Sequence, residues 1–235
     1  MRHKIASISQ RLRLPAICVL CNQYHRELIA VCSPCLKLLP AIGPACYHCA
    51  LPLPDTDFPV CGHCCKKKPH FDHTVAPYHF EEPLRSLLHE FKYHEGLYLC
   101  SFLARLIISA IPSEALKTQC LIPVPLHRKR LQQRGFNQAV ELVKYLGRHL
   151  EIPYDLSLCK KIIETAPQAG LNATQRQRNL RHAFQAPPLS YAHVTLVDDL
   201  LTTGSTVNEL AKTLKQQGVE QVDVWCCART TRSVG

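Results

Sequence analysis

The chain has no run of about eighteen apolar residues, so no segment of it is expected to cross a membrane as a helix. It is short of acid: 18 Asp and Glu stand against 28 Lys and Arg, giving a formal net charge of +10. That balance favours anionic partners such as nucleotides, phosphates, nucleic acid or a lipid surface. A G-x-x-x-x-G-K loop is missing, which argues against an ordinary ATPase. The basic N-terminus lacks the unbroken apolar core of a secretory signal, because Arg11 and Arg13 interrupt it. A cytoplasmic protein is therefore expected. There its 14 cysteines would stay reduced, which points to metal rather than disulfides.

Eight of the cysteines form four C-x-x-C pairs near the start: Cys18/Cys21, Cys32/Cys35, Cys46/Cys49 and Cys61/Cys64. The stretch is rich in proline and cannot build a large apolar core, so a metal staple is expected. Two thiolates on one tight turn can both reach a tetrahedral ion, and eight thiolates suffice for two Cys₄ zinc sites. Sequential pairing is expected, with Cys18, Cys21, Cys32 and Cys35 on one ion and Cys46, Cys49, Cys61 and Cys64 on the other. Interleaved pairing or a single occupied site stays open, as does a thiolate replaced by His25, His48 or His63. Such closed sites would be structural. Cys65, Cys100, Cys120, Cys159, Cys226 and Cys227 lack the spacing and read as core residues. The run Lys66-Lys67-Lys68-Pro69 reads as a linker, which divides the chain into a zinc-binding module at 1–69 and a second domain at 70–235.

From residue 70 the pattern alternates. Strands are expected at Thr74–Phe80, Cys120–Val124, Leu156–Ile163, Ala192–Val197 and Val219–Ala228, and helices at Glu82–Tyr93, Leu97–Ile111, Asn137–Leu150 and Ser205–Gln217. This order implies an α/β fold, a mostly parallel sheet flanked by helices.

The most specific stretch is VTLVDDLLTTGST, Val194 to Thr206. An apolar strand ends in Asp198-Asp199, and a short Thr/Gly/Ser loop opens a helix. Ligands of open α/β sheets bind beyond the carboxyl ends of strands. Paired carboxylates can accept hydrogen bonds from vicinal ribose hydroxyls and help hold Mg²⁺. Gly204 lets backbone approach a phosphate, and amides at a helix N-terminus favour negative charge. The stretch resembles the 5-phosphoribosyl-1-pyrophosphate (PRPP) signature of type I phosphoribosyltransferases. The resemblance implies that Asp198 and Asp199 bind the ribose hydroxyls, while Thr202, Thr203, Gly204, Ser205 and Thr206 bind the 5′-phosphate.

Two polar segments accompany it. Leu121–Val143 places His127, Arg128, Lys129, Arg130 and Arg134 in or beside one loop, with Arg128 and Lys129 the candidates for pyrophosphate. Thr165, Gln168, Arg176, Arg178, Asn179 and Arg181 lie in a polar stretch read as a loop able to close over ligand. Together with the cysteine pairs, Phe91-Lys92-Tyr93, PVPLH at Pro123–His127, RGFNQA at Arg134–Ala139, T-x-x-Q-x-x-L at Thr165–Leu171 and Ala183-Phe184, these segments resemble the ComF family of competence proteins, ComFC- and GntX-like, over nearly the whole chain. The resemblance implies action on incoming single-stranded DNA in the cytoplasm during natural transformation, alongside other DNA-uptake proteins. Tyr78, Phe91, Tyr93 and Phe136 are candidate stacking faces that also read as core.

One departure stands out. Lys160-Lys161-Ile162-Ile163 occupies the place where the family tends to carry arginines. A phosphoribosyltransferase acting on a nitrogen nucleophile is the alternative function, and a zinc-dependent adaptor a third. Leu200, Leu201, Thr202 and Thr203 follow the acidic pair, and none of them can serve as a general base.

Overall fold

The computed structural model describes residues 15–27, 30–163 and 182–231. The stretch holding Thr165, Gln168, Arg176, Arg178, Asn179 and Arg181 lies outside them, as do Arg11 and Arg13. The cysteine-rich segment opens with an antiparallel pair, β1 (Ala16–Ile17) and β2 (Tyr24–His25), joined by the turn that carries Cys18 and Cys21. Two short helices follow, α1 (Ser33–Leu36) and α2 (Gly62–Lys66), with Cys32 and Cys61 at their N-caps.

Next come β3 (His73–Val75), β4 (Tyr78–His79), α3 (Leu84–Glu90), a 3₁₀ segment at His94–Leu99 and α4 (Cys100–Ile108). The strand β5 (Cys120–Pro123) leads into α5 (Arg128–Arg134) and α6 (Gln138–Leu150). A small antiparallel pair, β6 (Lys160–Lys161) and β7 (Phe184–Gln185), precedes β8 (His193–Val197), β9 (Leu200–Leu201), α7 (Ser205–Gln216), β10 (Gln221–Trp225) and β11 (Ala228–Arg229). Helix α6 begins where the Asn137 side chain accepts the Ala139 N–H at 3.0 Å, and it buries Ala139, Leu142, Val143 and Leu146 at helical spacing. Helix α7 does the same with Val207, Leu210, Ala211 and Leu214.

The main sheet runs β3-β10-β8-β5, all parallel. Parallel neighbours need crossovers, and the helices supply them. The expected class, a parallel α/β sheet with a small cysteine module in front, is what the chain forms. Two expected strands are each broken in two. Thr74–Phe80 divides into β3 and β4 at Ala76-Pro77, where Pro77 has no N–H for the ladder. Val219–Ala228 divides into β10 and β11 at Cys226-Cys227. The outer pieces form a second parallel sheet, β4-β11-β9. Asp198-Asp199 fills the corresponding break between β8 and β9. Leu156–Ile163 is extended in ladder form only at β6.

The sheet has two buried faces, and side chains alternate between them along each strand. Leu121, Val75, Val197 and Trp225 point to one face, where α3, α4 and α6 pack together with Cys18, Cys32 and Cys35. Ile122, Leu196 and Val224 point to the other, with α7, Phe71, Phe184, Leu201 and the cysteines Cys46, Cys49 and Cys64.

Candidate functional site

The acidic pair sits at the carboxyl end of β8, where its backbone is clamped by neighbours. The Asp198 N–H donates to the Trp225 carbonyl at 3.0 Å, and the Cys227 N–H donates to the Asp199 carbonyl at 3.2 Å. The Asp198 side chain accepts the Asp199 N–H at 2.9 Å. Burial, then the charge of Asp199, lifts the Asp198 carboxyl well above the usual carboxylate range. Asp199 Oδ2 is buried and has no hydrogen-bond partner; Lys92 Nζ stands off at 3.9 Å. A buried carboxylate oxygen left in this state costs free energy unless a ligand hydroxyl or a cation completes it.

Both carboxylates face a cleft of about 180 Å³. Four cations line it: Lys92, Arg130, Arg134 and Lys161. The Arg134 guanidinium donates to Gln138 Oε1 at 3.3 Å, and Gln138 Nε2 donates to the Lys92 carbonyl at 3.0 Å, so two of the cations are tied to one buried glutamine. Lys161 lies 5.9 Å from the centre of the Phe184 ring. Burial first, then the charge of Arg130, holds its ammonium down to about 8.

Arg128 and Lys129 do not line this cleft. The segment expected as a basic loop is helix α5, started by the Lys129 N–H on His127 Nδ1 at 3.4 Å and stopped by Gly135 at φ 78°. A helix sorts its residues by angle, so Arg130 and Arg134, four apart, share the cleft face while Arg128 and Lys129 are exposed. A loop reading cannot supply that sorting; an i, i+4 arginine pair before a glycine was the available signal.

The Thr/Gly/Ser loop is also divided. Thr202, Gly204 and Thr206 line the cleft, whereas Thr203 and Ser205 line a second cavity of about 390 Å³ on the side of the cysteine module. Thr203 Oγ1 accepts the Ser205 N–H at 3.3 Å and lies 2.9 Å from Ser205 Oγ. Gly204 precedes α7 at φ 76°, the left-handed region that favours glycine. Of the aromatic residues, Phe91 and Phe136 are buried and meet edge to face with centroids 6.4 Å apart. Tyr78 is half-buried in the helical-face core, and Tyr93 is exposed.

The eight paired cysteines gather into two groups, Cys18/Cys21/Cys32/Cys35 and Cys46/Cys49/Cys61/Cys64, with the sulfur atoms of each group within 4.8 Å of one another. This is the sequential pairing. In each group a left-handed residue closes the first C-x-x-C turn: Asn22 at φ 57°, Ala50 at φ 54°. In each, an amide of the second pair reaches a sulfur of the first: Cys32 N–H to Cys18 Sγ at 3.4 Å, Cys61 N–H to Cys46 Sγ at 3.3 Å. Burial pushes the Cys18 thiol up, but the amides of Cys32, Cys21 and Leu20 outweigh it and bring it down to about 6. A side-chain bond from Cys32, then burial, pushes Cys35 up to about 12, and burial first among several causes does the same to Cys49. An all-sulfur donor set this compact suits a tetrahedral ion, whose charge would stabilise the thiolates. Either group could hold a metal ion. His25, His48 and His63 belong to neither. Of the remaining cysteines, Cys120, Cys159, Cys226 and Cys227 are core residues as expected, but Cys65 is exposed and Cys100 only partly buried.

No protein-family model matches the chain. Among curated proteins it is 37% identical over 223 residues to competence protein F of Haemophilus influenzae, covering 90% of this chain and 96% of that one. It is 34% identical over 226 residues to the DNA utilization protein YhgH of Escherichia coli, covering 93% and 99%. Competence protein ComFC of Streptococcus pneumoniae is 24% identical over 229 residues. Of solved structures, orotate phosphoribosyltransferase from Aeropyrum pernix aligns with 55% of this chain and 70% of its own at 13% identity and a TM-score of 0.32, a likeness too slight to argue from. The identity to competence protein F and YhgH, sustained over nearly the full length of each, places this chain in the ComF family of competence proteins.

Proposed function

We propose that this protein serves competence by binding PRPP with Mg²⁺ in the cleft at Asp198-Asp199 and by handling single-stranded DNA in the cytoplasm. The names of its relatives, competence protein and DNA utilization protein, support the setting. The observation that carries the ligand is Asp199 Oδ2: a buried acceptor with no hydrogen-bond partner and only a distant Lys92 ammonium, beside a second carboxylate, in a cleft lined by four cations. Vicinal hydroxyls would satisfy the carboxylates, and Arg130, Arg134, Lys92 and Lys161 would neutralise a pyrophosphate. Thr202, Gly204 and Thr206 would hold the 5′-phosphate at the N-terminus of α7. Zinc in the two cysteine groups would be structural, within an accessory module at 1–69 ahead of the ligand-binding domain at 70–235. No transfer step is assigned, since among the described residues no carboxylate other than the pair lines the cleft.

Asp198→Ala combined with Asp199→Ala is expected to weaken PRPP binding by more than about a hundredfold while the thermal transition stays cooperative. Unchanged affinity by calorimetry would overturn the assignment. The basic surface makes a separate prediction: binding of single-stranded DNA should fall steeply as salt rises, because each neutralised phosphate releases a counterion. A flat salt dependence in a fluorescence titration would remove DNA from the proposal.

A further inference from the structure

Beneath the loop, on the side away from the cleft, lies Arg229. It is 6% exposed, and among the described residues no carboxylate forms an ion pair with it. Its Nε–H donates to the Cys49 carbonyl at 2.9 Å, inside the first knuckle of the second cysteine group. Its other arm donates to the Leu201 carbonyl at 3.1 Å, to the Thr202 carbonyl, and to the Thr230 carbonyl at 2.9 Å. One rigid guanidinium thus ties the knuckle to the first residue of the loop and the residue before it. The fork is planar, so moving either end displaces the other.

Packing repeats the connection independently. Cys46, Cys49 and Cys64 share one apolar cluster with Phe71 and with Leu201 and Val207, the two residues that flank the loop. The Phe71 ring lies 3.7 Å from where a Cβ on Gly204 would stand. The cavity behind the loop is walled by Cys49 and Cys64 on one side and by Thr203, Gly204 and Ser205 on the other. Among the described residues the first cysteine group has none of these ties to Thr202–Thr206; its buried cysteines pack with α3, α4 and α6 on the opposite face of the sheet.

We infer that Arg229 is a positioning residue through which the second cysteine group, when it holds metal, sets the geometry of the loop Thr202–Thr206. The first group has no such role. The inference rests on the loop being the phosphate grip, and the test separates the two.

In the full-length protein, amide hydrogen exchange is followed at residues 202–206, with the amides of β8 and β10 as a measure of global folding. The variants are Cys61→Ser in the second group, Cys21→Ser in the first, and Arg229→Lys, which keeps the charge and loses the fork. Metal content is read by elemental analysis and PRPP affinity by calorimetry. Cys61→Ser and Arg229→Lys should each speed exchange at 202–206 by about tenfold or more, because loss of a buried hydrogen-bonded tie makes local opening easier. Cys21→Ser should leave it within about twofold, though it too reduces metal content. Equal effects from the two cysteine variants, or a loop unmoved by Arg229→Lys, overturns the inference. If Cys61→Ser exposes β8 and β10 as well, Arg229→Lys alone decides. If the loop responds as stated but PRPP binds to no form of the protein, the coupling stands and the ligand assignment fails.

Discussion

The two cysteine groups are built alike and placed differently. Each joins a turn closed by a left-handed residue to the start of a short helix, and each turns a backbone amide toward the sulfur of its leading cysteine. Local sequence dictates that much, because C-x-x-C geometry repeats wherever a metal must be grasped. Their surroundings diverge. The first group rests on the face covered by α3, α4 and α6, among their leucines, and the second rests on the face covered by α7, which carries the loop. The same motif can therefore pack against the core helices in one place and against the loop Thr202–Thr206 in another, and only the packing partners tell which.

The sharpest way to break this contrast is a matched pair of core truncations. Leu103 in α4 and Leu210 in α7 are both fully buried, one on each face. Leu103→Ala and Leu210→Ala should each cost about 2–5 kcal/mol by denaturant unfolding, through lost transfer energy and an unfilled cavity. Only Leu210→Ala should also weaken PRPP binding, because α7 carries the loop at its N-terminus and slackens against the sheet. Equal loss of affinity in both variants would mean that the faces are not separate in function.

Much of this was legible in the chain. The alternation of apolar strands and 3.6-period helices pointed to the sheet, and the spacing of the pairs pointed to two cysteine groups, with sequential pairing favoured over an interleaved one. Less legible were breaks in strands. Nothing in Val219–Ala228 marks Cys226-Cys227 as the point where one parallel sheet ends and the next begins, since every residue from Val222 to Ala228 is buried. The basic residues that line the cleft were legible only as members of one basic segment. His127–Arg134 has the composition of a loop, and its charges are sorted only by forming α5, which brings in Arg130 and Arg134 and leaves Arg128 and Lys129 outside. Lys92, Lys161 and Arg229 are single residues in the turn after α3, in β6 and in β11. Only the folded sheet brings them to the loop, so no spacing in the sequence could have joined them.

The smallest expected effect concerns the charge at Lys161, which belongs to the loop face through its neighbour Phe184. Its ammonium titrates near pH 8, below its ordinary value, because burial and Arg130 disfavour the charged form. The sign follows directly. Below about pH 8 the group is charged and attracts a pyrophosphate; above it the charge is lost and the attraction with it. PRPP affinity should therefore fall between pH 7 and pH 9, by less than about tenfold, since one unit of pKa displacement corresponds to about 1.4 kcal/mol. A bound anion raises the ammonium pKa, so the midpoint measured in the complex should lie above that of the free protein. In Lys161→Arg the cation persists through this range, and the fall should flatten. If the wild-type and Lys161→Arg profiles ran parallel, the pH dependence would belong to the ligand, and Lys161 would not be among the groups that meet it.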